Sequence, residues 1–142
     1  MKGMRKGKGF TLIELMVVVL IIGMLAWFVA PRAFKGLGKA KKSIARSKMA
    51  NIENALGQFR FDCGRFPTDE ELLDGLLVEP DGLEEGKWDG PYLKPSELLD
   101  PWERRYIYRA EGQINPGSFD LISYGQDGEE GGEGEDEDVY ND

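Results

Sequence analysis

The stretch Lys8-Gly9-Phe10-Thr11-Leu12-Ile13-Glu14-Leu15 lies between a basic N-terminus and a long apolar run, and it decides how the chain is interpreted. Glu14 places a carboxylate near the start of that run, and no residue from Leu15 to Ala30 is charged. As a helix, Phe10–Ala30 would extend about 31 Å, which is enough to cross the hydrocarbon core of a bilayer. The sequence therefore predicts a membrane-embedded helix.

Two other interpretations of this segment, a signal peptide and a generic membrane anchor, leave some of its residues unexplained. A secretory signal peptide needs small residues before its cleavage site, whereas Phe28 and Pro31 lie at the end of this run. A generic single-pass anchor leaves Glu14 unexplained, since a charge at membrane depth costs roughly 2.5–3.5 kcal/mol. Glu14 either stays hydrated at the interface or meets a cation in an assembled state, such as the N-terminal amine of a neighbouring subunit.

Composition excludes several functions. The chain of 142 residues has a net charge of -8, and its last 16 residues carry nine acids and no base. Such a surface would repel a phosphate backbone, so nucleic-acid binding is not expected. The chain has no His and one cysteine, Cys63, which we expect to be a small buried hydrophobe. A membrane-anchored calcium-dependent hydrolase is disfavoured because no nucleophile motif or acid–base pair is evident, and we predict that the protein is not an enzyme.

Beyond Pro31 the helix becomes amphipathic. Apolar residues recur at steps of three and four and form one helical stripe, at Ala45, Met49, Ile52, Leu56 and Phe59. We predict one helix from the membrane segment to about Asp62, with this stripe packed on a small domain.

The segment after the helix predicts a second, short helix and an ordered loop. Thr68 is a good N-cap residue, and Glu71 follows at the spacing of a capping box. The expected buried side of this helix comprises Leu72, Leu73, Leu76 and Leu77. Residues 80–95 are rich in Gly, Pro and acids, and we expect Trp88 and Tyr92 to hold this loop on the core.

The C-terminal third predicts a β-hairpin. Arg104–Glu111 and Ser118–Tyr124 alternate like strands around the turn signal Asn115-Pro116-Gly117. The expected sheet residues are Tyr106, Tyr108, Phe119 and Leu121. The predicted fold class is α+β, with a long N-terminal helix packed on a small antiparallel sheet.

The junction from Lys8 to Leu15 resembles the leader junction of type IV pilins and pseudopilins. The resemblance implies that a prepilin peptidase cuts after Gly9, that Phe10 is then N-methylated, and that Glu14 pairs with the Phe10 amine of an adjacent subunit. It also implies a cytoplasmic leader and a periplasmic domain. Gly23 and Pro31 both weaken a helix, and they match the ends of a segment that melts in filaments of this family. Pro31 is equally explained as the end of the span.

Residues in the rest of the chain resemble one particular family of pseudopilins. Ala55-Leu56, Asp62–Thr68, Trp88–Leu93 and Leu99-Asp100-Pro101-Trp102 look like the major pseudopilins of type II secretion. One departure follows, because Glu103-Arg104 stands where that family usually has Gly-Asn, which puts the local turn in question. Pilus-forming pilins share only the N-terminal third, and many carry a C-terminal disulfide loop that a single cysteine excludes.

The acidic segment Tyr124–Val139 allows two interpretations from composition alone, a disordered tail or a calcium loop. Its Gly125-x-Asp127-Gly128 and Gly131-Gly132-x-Gly134-x-Asp136-x-Asp138-Val139 patterns resemble the calcium loop of the major pseudopilins. The resemblance implies a structural Ca²⁺ bound by Asp127, Asp136, Asp138 and the Tyr124 carbonyl.

These inferences together predict a major pseudopilin that polymerises into a periplasmic pseudopilus and helps export folded proteins. The alternative is a type IV pilus subunit for adhesion or motility. The implied partners are further copies of the chain, minor pseudopilins, the prepilin peptidase and an inner-membrane assembly platform with its ATPase. The implied location is the bacterial inner membrane, with a single pass and later extraction into the pseudopilus. The predicted segments are a cleaved leader (1–9), an apolar helix (10–31), its amphipathic continuation (32–62), a globular α+β domain (63–124) and an acidic calcium loop and tail (125–142).

Overall fold

A single long helix, α1 (Leu12–Cys63), makes up 52 residues of the chain. The computed structural model describes residues 9–141, and for residues 30–35 it describes the backbone alone. The helix ends where Gly64 takes a φ of 77° and donates its N–H to the Arg60 carbonyl at 2.9 Å. A left-handed glycine is a common way to end a helix, so the sequence prediction of a stop near Asp62 is confirmed.

The described chain divides into two compact units, one ending at Leu37 and one beginning at Gly38. Within the first unit, Leu12–Val29 has a mean hydropathy of 2.7, and none of this window is buried. By length and composition this segment could cross a membrane. The second unit contains the hydrophobic core, the sheet and the acidic loop.

The core forms around the predicted stripe of α1. All five predicted residues are buried, at 0–2% exposure: Ala45, Met49, Ile52, Leu56 and Phe59. The Tyr106 hydroxyl donates to the Ala45 carbonyl at 3.0 Å and ties the C-terminal third to the helix. Cys63 is also buried, as expected, and burial raises the pKa of its thiol. Helical periodicity therefore identified the core face correctly.

The predicted second helix is shorter and tighter than expected, a 3-10 helix at Leu72–Leu76. Thr68 and Glu71 do form the predicted reciprocal bonds, at 2.9 and 3.3 Å, but these close a turn that precedes the helix. Leu72 takes a φ of 51°, so an α-helix cannot continue from that turn. Leu73 and Leu76 are buried, whereas Leu72 is 43% exposed and was wrongly assigned to the buried side.

Trp88 and Tyr92 hold the loop at residues 80–95 on the core, as predicted. The Trp88 indole N–H donates to the Gly75 carbonyl at 3.0 Å, and the Tyr92 hydroxyl donates to Asp62 at 2.9 Å. The Tyr92 ring also meets Phe59 edge-on, with 5.9 Å between ring centroids. Tyr92 therefore holds the loop on the end of α1, and Trp88 holds it on the 3-10 helix.

Three antiparallel strands complete the fold: β1 (Ile107–Arg109), β2 (Asp120–Ser123) and β3 (Val139–Tyr140), in the order β1-β2-β3. Tyr108 pairs with Leu121, and Ser123 pairs with Val139. The predicted hairpin is present with shorter strands. All four predicted sheet residues are buried, but only Tyr108 and Leu121 lie in the strands, and Tyr106 and Phe119 lie just outside them. The sequence did not predict β3, which brings the end of the acidic segment back to the sheet.

Candidate functional sites

The N-terminal junction is fully exposed and carries a capping box. Glu14 Oε2 accepts hydrogen bonds from the Thr11 backbone N–H at 2.9 Å and from the Thr11 hydroxyl at 3.1 Å. The Glu14 N–H donates in return to Thr11 Oγ1 at 3.3 Å. A Thr-x-x-Glu box satisfies N–H groups that have no partner within the helix. Glu14 therefore caps the first turn of the helix in the isolated chain, a role that the sequence analysis did not assign.

The apolar side chains after the junction have no core of their own. Phe10 is 80% exposed, and the large side chains from Leu12 to Val29 are 47–83% exposed. An apolar surface of this extent requires lipid or another protein to cover it. α1 is unbroken at Gly23 and Pro31 in this monomer, and the Pro31 side chain lies outside the described positions.

The acidic segment folds back on itself between β2 and β3, instead of extending into solvent. Gly125 and Gly132 pack on either side of the Asp136 carbonyl, and a Cβ at either glycine would lie 2.7 Å from that oxygen. Both glycines also have positive φ, 57° and 86°. The glycine pattern noted in the sequence is therefore required for the loop to close.

The four predicted calcium ligands all lie in this loop, with different surroundings. The Tyr124 carbonyl accepts the Gly128 N–H at 3.0 Å, and exposed Asp127 accepts the Glu129 N–H at 3.1 Å. Asp138 is half-buried and accepts the Gly131 N–H at 2.9 Å and the Tyr140 hydroxyl at 2.8 Å. That hydrogen bond is the main reason why the pKa of Tyr140 rises to about 12.

The fit of this loop to a hard cation depends on one carboxylate and on backbone oxygens. The second Asp138 oxygen, Oδ1, is buried and has no hydrogen-bond partner among the described residues. A buried carboxylate oxygen without a partner is costly, and Ca²⁺ would satisfy it. Within residues 9–141 no three His, Cys, Asp or Glu side chains converge on one point. The carboxylate and carbonyl oxygens of the loop are of the type that calcium binds, but the carboxylates of the described residues do not by themselves assemble a metal site.

The sequence analysis missed the basic side chains that contact this loop. Lys42 Nζ lies 2.7 Å from Glu137 Oε2, and Lys42 comes from α1, 95 residues away. The Arg104 side chain reaches the loop from the turn after Asp100-Pro101-Trp102. The excess of unpaired acids in the sequence indicates that basic partners are needed, but not which residues supply them.

The turn that contains Arg104 forms despite the Glu103-Arg104 departure. Asp100 is buried, and its Oδ1 accepts the N–H groups of Trp102 and Arg104, each at 2.9 Å. Its Oδ2 accepts the Ser123 hydroxyl at 2.6 Å. Glu103 takes a φ of 65°, a conformation that favours glycine. The side-chain bonds of Asp100 hold the turn in place of a glycine.

Comparison with known proteins adds independent evidence. Residues 4–30 match the prokaryotic N-terminal methylation motif, and residues 32–142 match the family model of type II secretion system protein G. The chain belongs to the type II secretion system protein G family. Its core protein G relatives include those of Vibrio cholerae, 39% identical over 99% of this chain and 95% of the relative, and of Pseudomonas aeruginosa, 41% identical over 96% of each.

The fold leads to the same family. The crystal structure of the major pseudopilin from the type 2 secretion system of enterohaemorrhagic Escherichia coli superposes with a TM-score of 0.57. It is 29% identical and covers 72% of this chain and 87% of that chain. As a protein G family member, the chain is a structural major pseudopilin of type II secretion and not an enzyme. The family and the pilin-like fold inferred from the sequence are confirmed, and the apolar N-terminal helix implies anchoring in the inner membrane.

Proposed function

We propose that the chain is cut after Gly9, methylated at Phe10 and polymerised through its apolar helix into a pseudopilus. One observation carries this proposal. The match to the methylation motif, residues 4–30, contains an 18-residue span, Leu12–Val29, that is apolar except for Glu14 and is not buried by the described chain. Lipid would cover this surface before assembly, and the helices of other copies would cover it afterwards. The domain after the span would then lie in the periplasm and leave the membrane with the filament.

The proposed cleavage, methylation and polymerisation imply the remaining partners. The prepilin peptidase would act at Gly9-Phe10, and Glu14 would exchange its own Thr11 for the Phe10 amine of the adjacent subunit. Minor pseudopilins and an assembly platform with its ATPase would complete the system. We also propose that the helix between Gly23 and Pro31 melts on assembly, because both residues weaken helical hydrogen bonding.

We propose that calcium orders the acidic loop. Asp138 supplies a buried oxygen that has no hydrogen-bond partner in the described part of the chain, and Asp127, Asp136 and the Tyr124 carbonyl lie in the same loop. Bound Ca²⁺ would supply charge that offsets repulsion among these acids and would add ligand bonds to the folded state alone. The loop would then present a fixed surface for contacts between subunits.

A thermal unfolding experiment tests the calcium proposal. The full-length chain in detergent is unfolded with calcium and with chelator, as wild type and as Asp127→Ala. We expect calcium to raise the wild-type midpoint by about 5–10 °C, because saturation near a hundred times the Kd stabilises by about 2.7 kcal/mol. The rise should be lost or strongly reduced in Asp127→Ala.

Asp81→Ala is the matched control, since it removes the same charge from an exposed position in the loop at residues 80–95. Its calcium response should equal that of the wild type. An unchanged wild-type midpoint at millimolar calcium would show that the loop is acidic but does not bind the metal.

A further inference from the structure

The Arg104 guanidinium forms two short hydrogen bonds with the backbone of the acidic loop. Nη1 donates to the Gly125 carbonyl at 2.7 Å, and Nη2 donates to the Gln126 carbonyl at 2.6 Å. The guanidinium also lies directly against Gly128, where a Cβ would be 2.7 Å from Arg104 Cζ. The first turn of the loop, Gly125–Gly128, is thus wrapped around a positively charged side chain.

The backbone of Arg104 is held firmly, which fixes where its side chain starts. Its N–H donates to buried Asp100 at 2.9 Å, and its carbonyl accepts the Asp100 N–H at 2.7 Å. Asp100 also bonds Ser123 at the end of β2. Arg104 therefore connects the sheet to the loop through a fixed turn.

The bonding of Arg104 differs from that of the other cations at this loop. Lys42 and Arg109 approach carboxylates, Glu137 at 2.7 Å and Glu130 at 3.8 Å. Arg104 instead donates hydrogen bonds to two consecutive carbonyl oxygens. Backbone carbonyl oxygens are also common ligands of hard metal ions. A charged donor also makes stronger hydrogen bonds than a neutral one. The two carbonyls point towards Arg104, whereas the Tyr124 carbonyl and the Asp127 carboxylate are not bonded to it.

We propose that Arg104 is a built-in cation that holds the first turn of the acidic loop when no metal is bound. The turn is then already formed around Tyr124 and Asp127, and calcium has only the remainder of the loop to order. The metal part of this inference rests on the calcium function proposed above, whereas the anchoring of the turn does not.

Limited proteolysis with a glutamate-specific protease tests this role. The full-length chain in detergent is digested with chelator or with calcium, and intact mass identifies cuts within the loop at Glu129, Glu130, Glu133 and Glu135. In chelator, we expect Arg104→Gln to be cut in the loop about tenfold faster than wild type, because two charge-assisted bonds are lost. Calcium should bring the variant to within about twofold of the wild-type rate.

Arg105→Gln is the matched control. Arg105 is the next residue along the chain, but it pairs with Asp74 at 2.6 Å and not with the loop. Loop cutting in this variant should stay within about twofold of wild type in chelator, since its ion pair is exposed.

Each outcome decides one of the two proposals. If Arg104→Gln is cut at the wild-type rate in chelator, the anchoring role is overturned, whatever calcium does. If calcium protects the wild type but Arg104→Gln is equally accelerated with and without it, Arg104 is a general structural residue and the inference fails. If calcium protects neither protein while Arg104→Gln is still cut faster, the anchoring role stands and the calcium proposal fails.

Discussion

Replacing Glu14 with leucine is expected to reduce filament yield at least tenfold while leaving the protein in the membrane. Among the described residues, Glu14 bonds its own helix terminus, through Thr11 at 2.9 and 3.1 Å. In a filament core, a carboxylate must be paired because an uncompensated charge in an apolar environment is very costly. If Glu14 pairs with the Phe10 amine of the neighbouring subunit as proposed, leucine removes that partner and leaves the amine buried alone. Filament yield is measured by electron microscopy and by sedimentation of sheared material.

Thr11→Val separates the two possible roles of Glu14. This variant removes the hydroxyl that bonds Glu14 in the capping box but keeps the carboxylate. We expect its filament yield to remain within about threefold of wild type, because a lost cap costs only about 1 kcal/mol. If Thr11→Val assembles as poorly as Glu14→Leu, Glu14 acts by capping the helix, and its pairing between subunits is refuted.

Replacing Asp120 with asparagine is expected to destabilise the globular unit by about 2–4 kcal/mol. Asp120 is completely buried, and its two oxygens accept the N–H groups of Gln113, Ile114 and Asn115 at 2.7, 3.1 and 3.0 Å. Asparagine replaces one acceptor oxygen with a donor, so backbone N–H groups in the hairpin turn lose their partner. Denaturant unfolding of the full-length protein in detergent, followed by near-UV circular dichroism, measures the loss.

Asp120 is also expected to make the stability of the globular unit depend on pH in acid. Burial alone would raise the pKa of Asp120, but the N–H donors of Ile114, Gln113 and Asn115 outweigh it and hold the pKa below its ordinary value. A lowered folded-state pKa stabilises above the unfolded value, about 3.9, and this stability is lost as the pH falls through the folded value. Below about pH 4 the stability difference between wild type and Asp120→Asn should therefore shrink.

Asp81→Asn makes the same charge change at an exposed site and should leave stability within about 0.5 kcal/mol of wild type. A loss of less than about 1 kcal/mol in Asp120→Asn at neutral pH would contradict the importance assigned to the Asp120 bonds.

The features that the sequence predicted well depend on repeated local patterns. Helical periodicity identified the buried face of α1 from Ala45 to Phe59, and Asn115-Pro116-Gly117 identified the hairpin turn. Many residues contribute to a hydrophobic periodicity, so one irregular position does not obscure the prediction. The apolar span after Phe10 is predictable for the same reason.

Tertiary contacts decided the features that the sequence missed. β3 has only two residues, Val139 and Tyr140, and follows a segment whose acids and glycines indicate disorder. It forms because β2 offers an unpaired edge, which the sequence near β3 does not reveal. The short helix was predicted too long because its capping box is local, whereas the left-handed Leu72 that ends the capped turn is not predictable from propensity.

The acidic loop was hard to predict for two reasons: its local pattern is not specific, and its shape depends on contacts with distant residues. Its glycines and acids predicted a calcium loop only through family resemblance, since the spacing has no general metal-binding signature. The contribution of Arg104 could not be inferred, because its partners are backbone carbonyls 21 and 22 residues away, and every residue has a carbonyl whatever its side chain. Its position in a departure from the family pattern, Glu103-Arg104, was the available signal.

The central claim is that this chain is processed at Gly9 and built into a filament through its apolar helix. The most direct measurement is the intact mass of the subunit in filaments purified from cells that overproduce the chain with its secretion system. The account predicts filaments whose subunit begins at N-methylated Phe10. Filaments built from subunits that retain Met1–Gly9, or processed protein that never forms filaments, would contradict it.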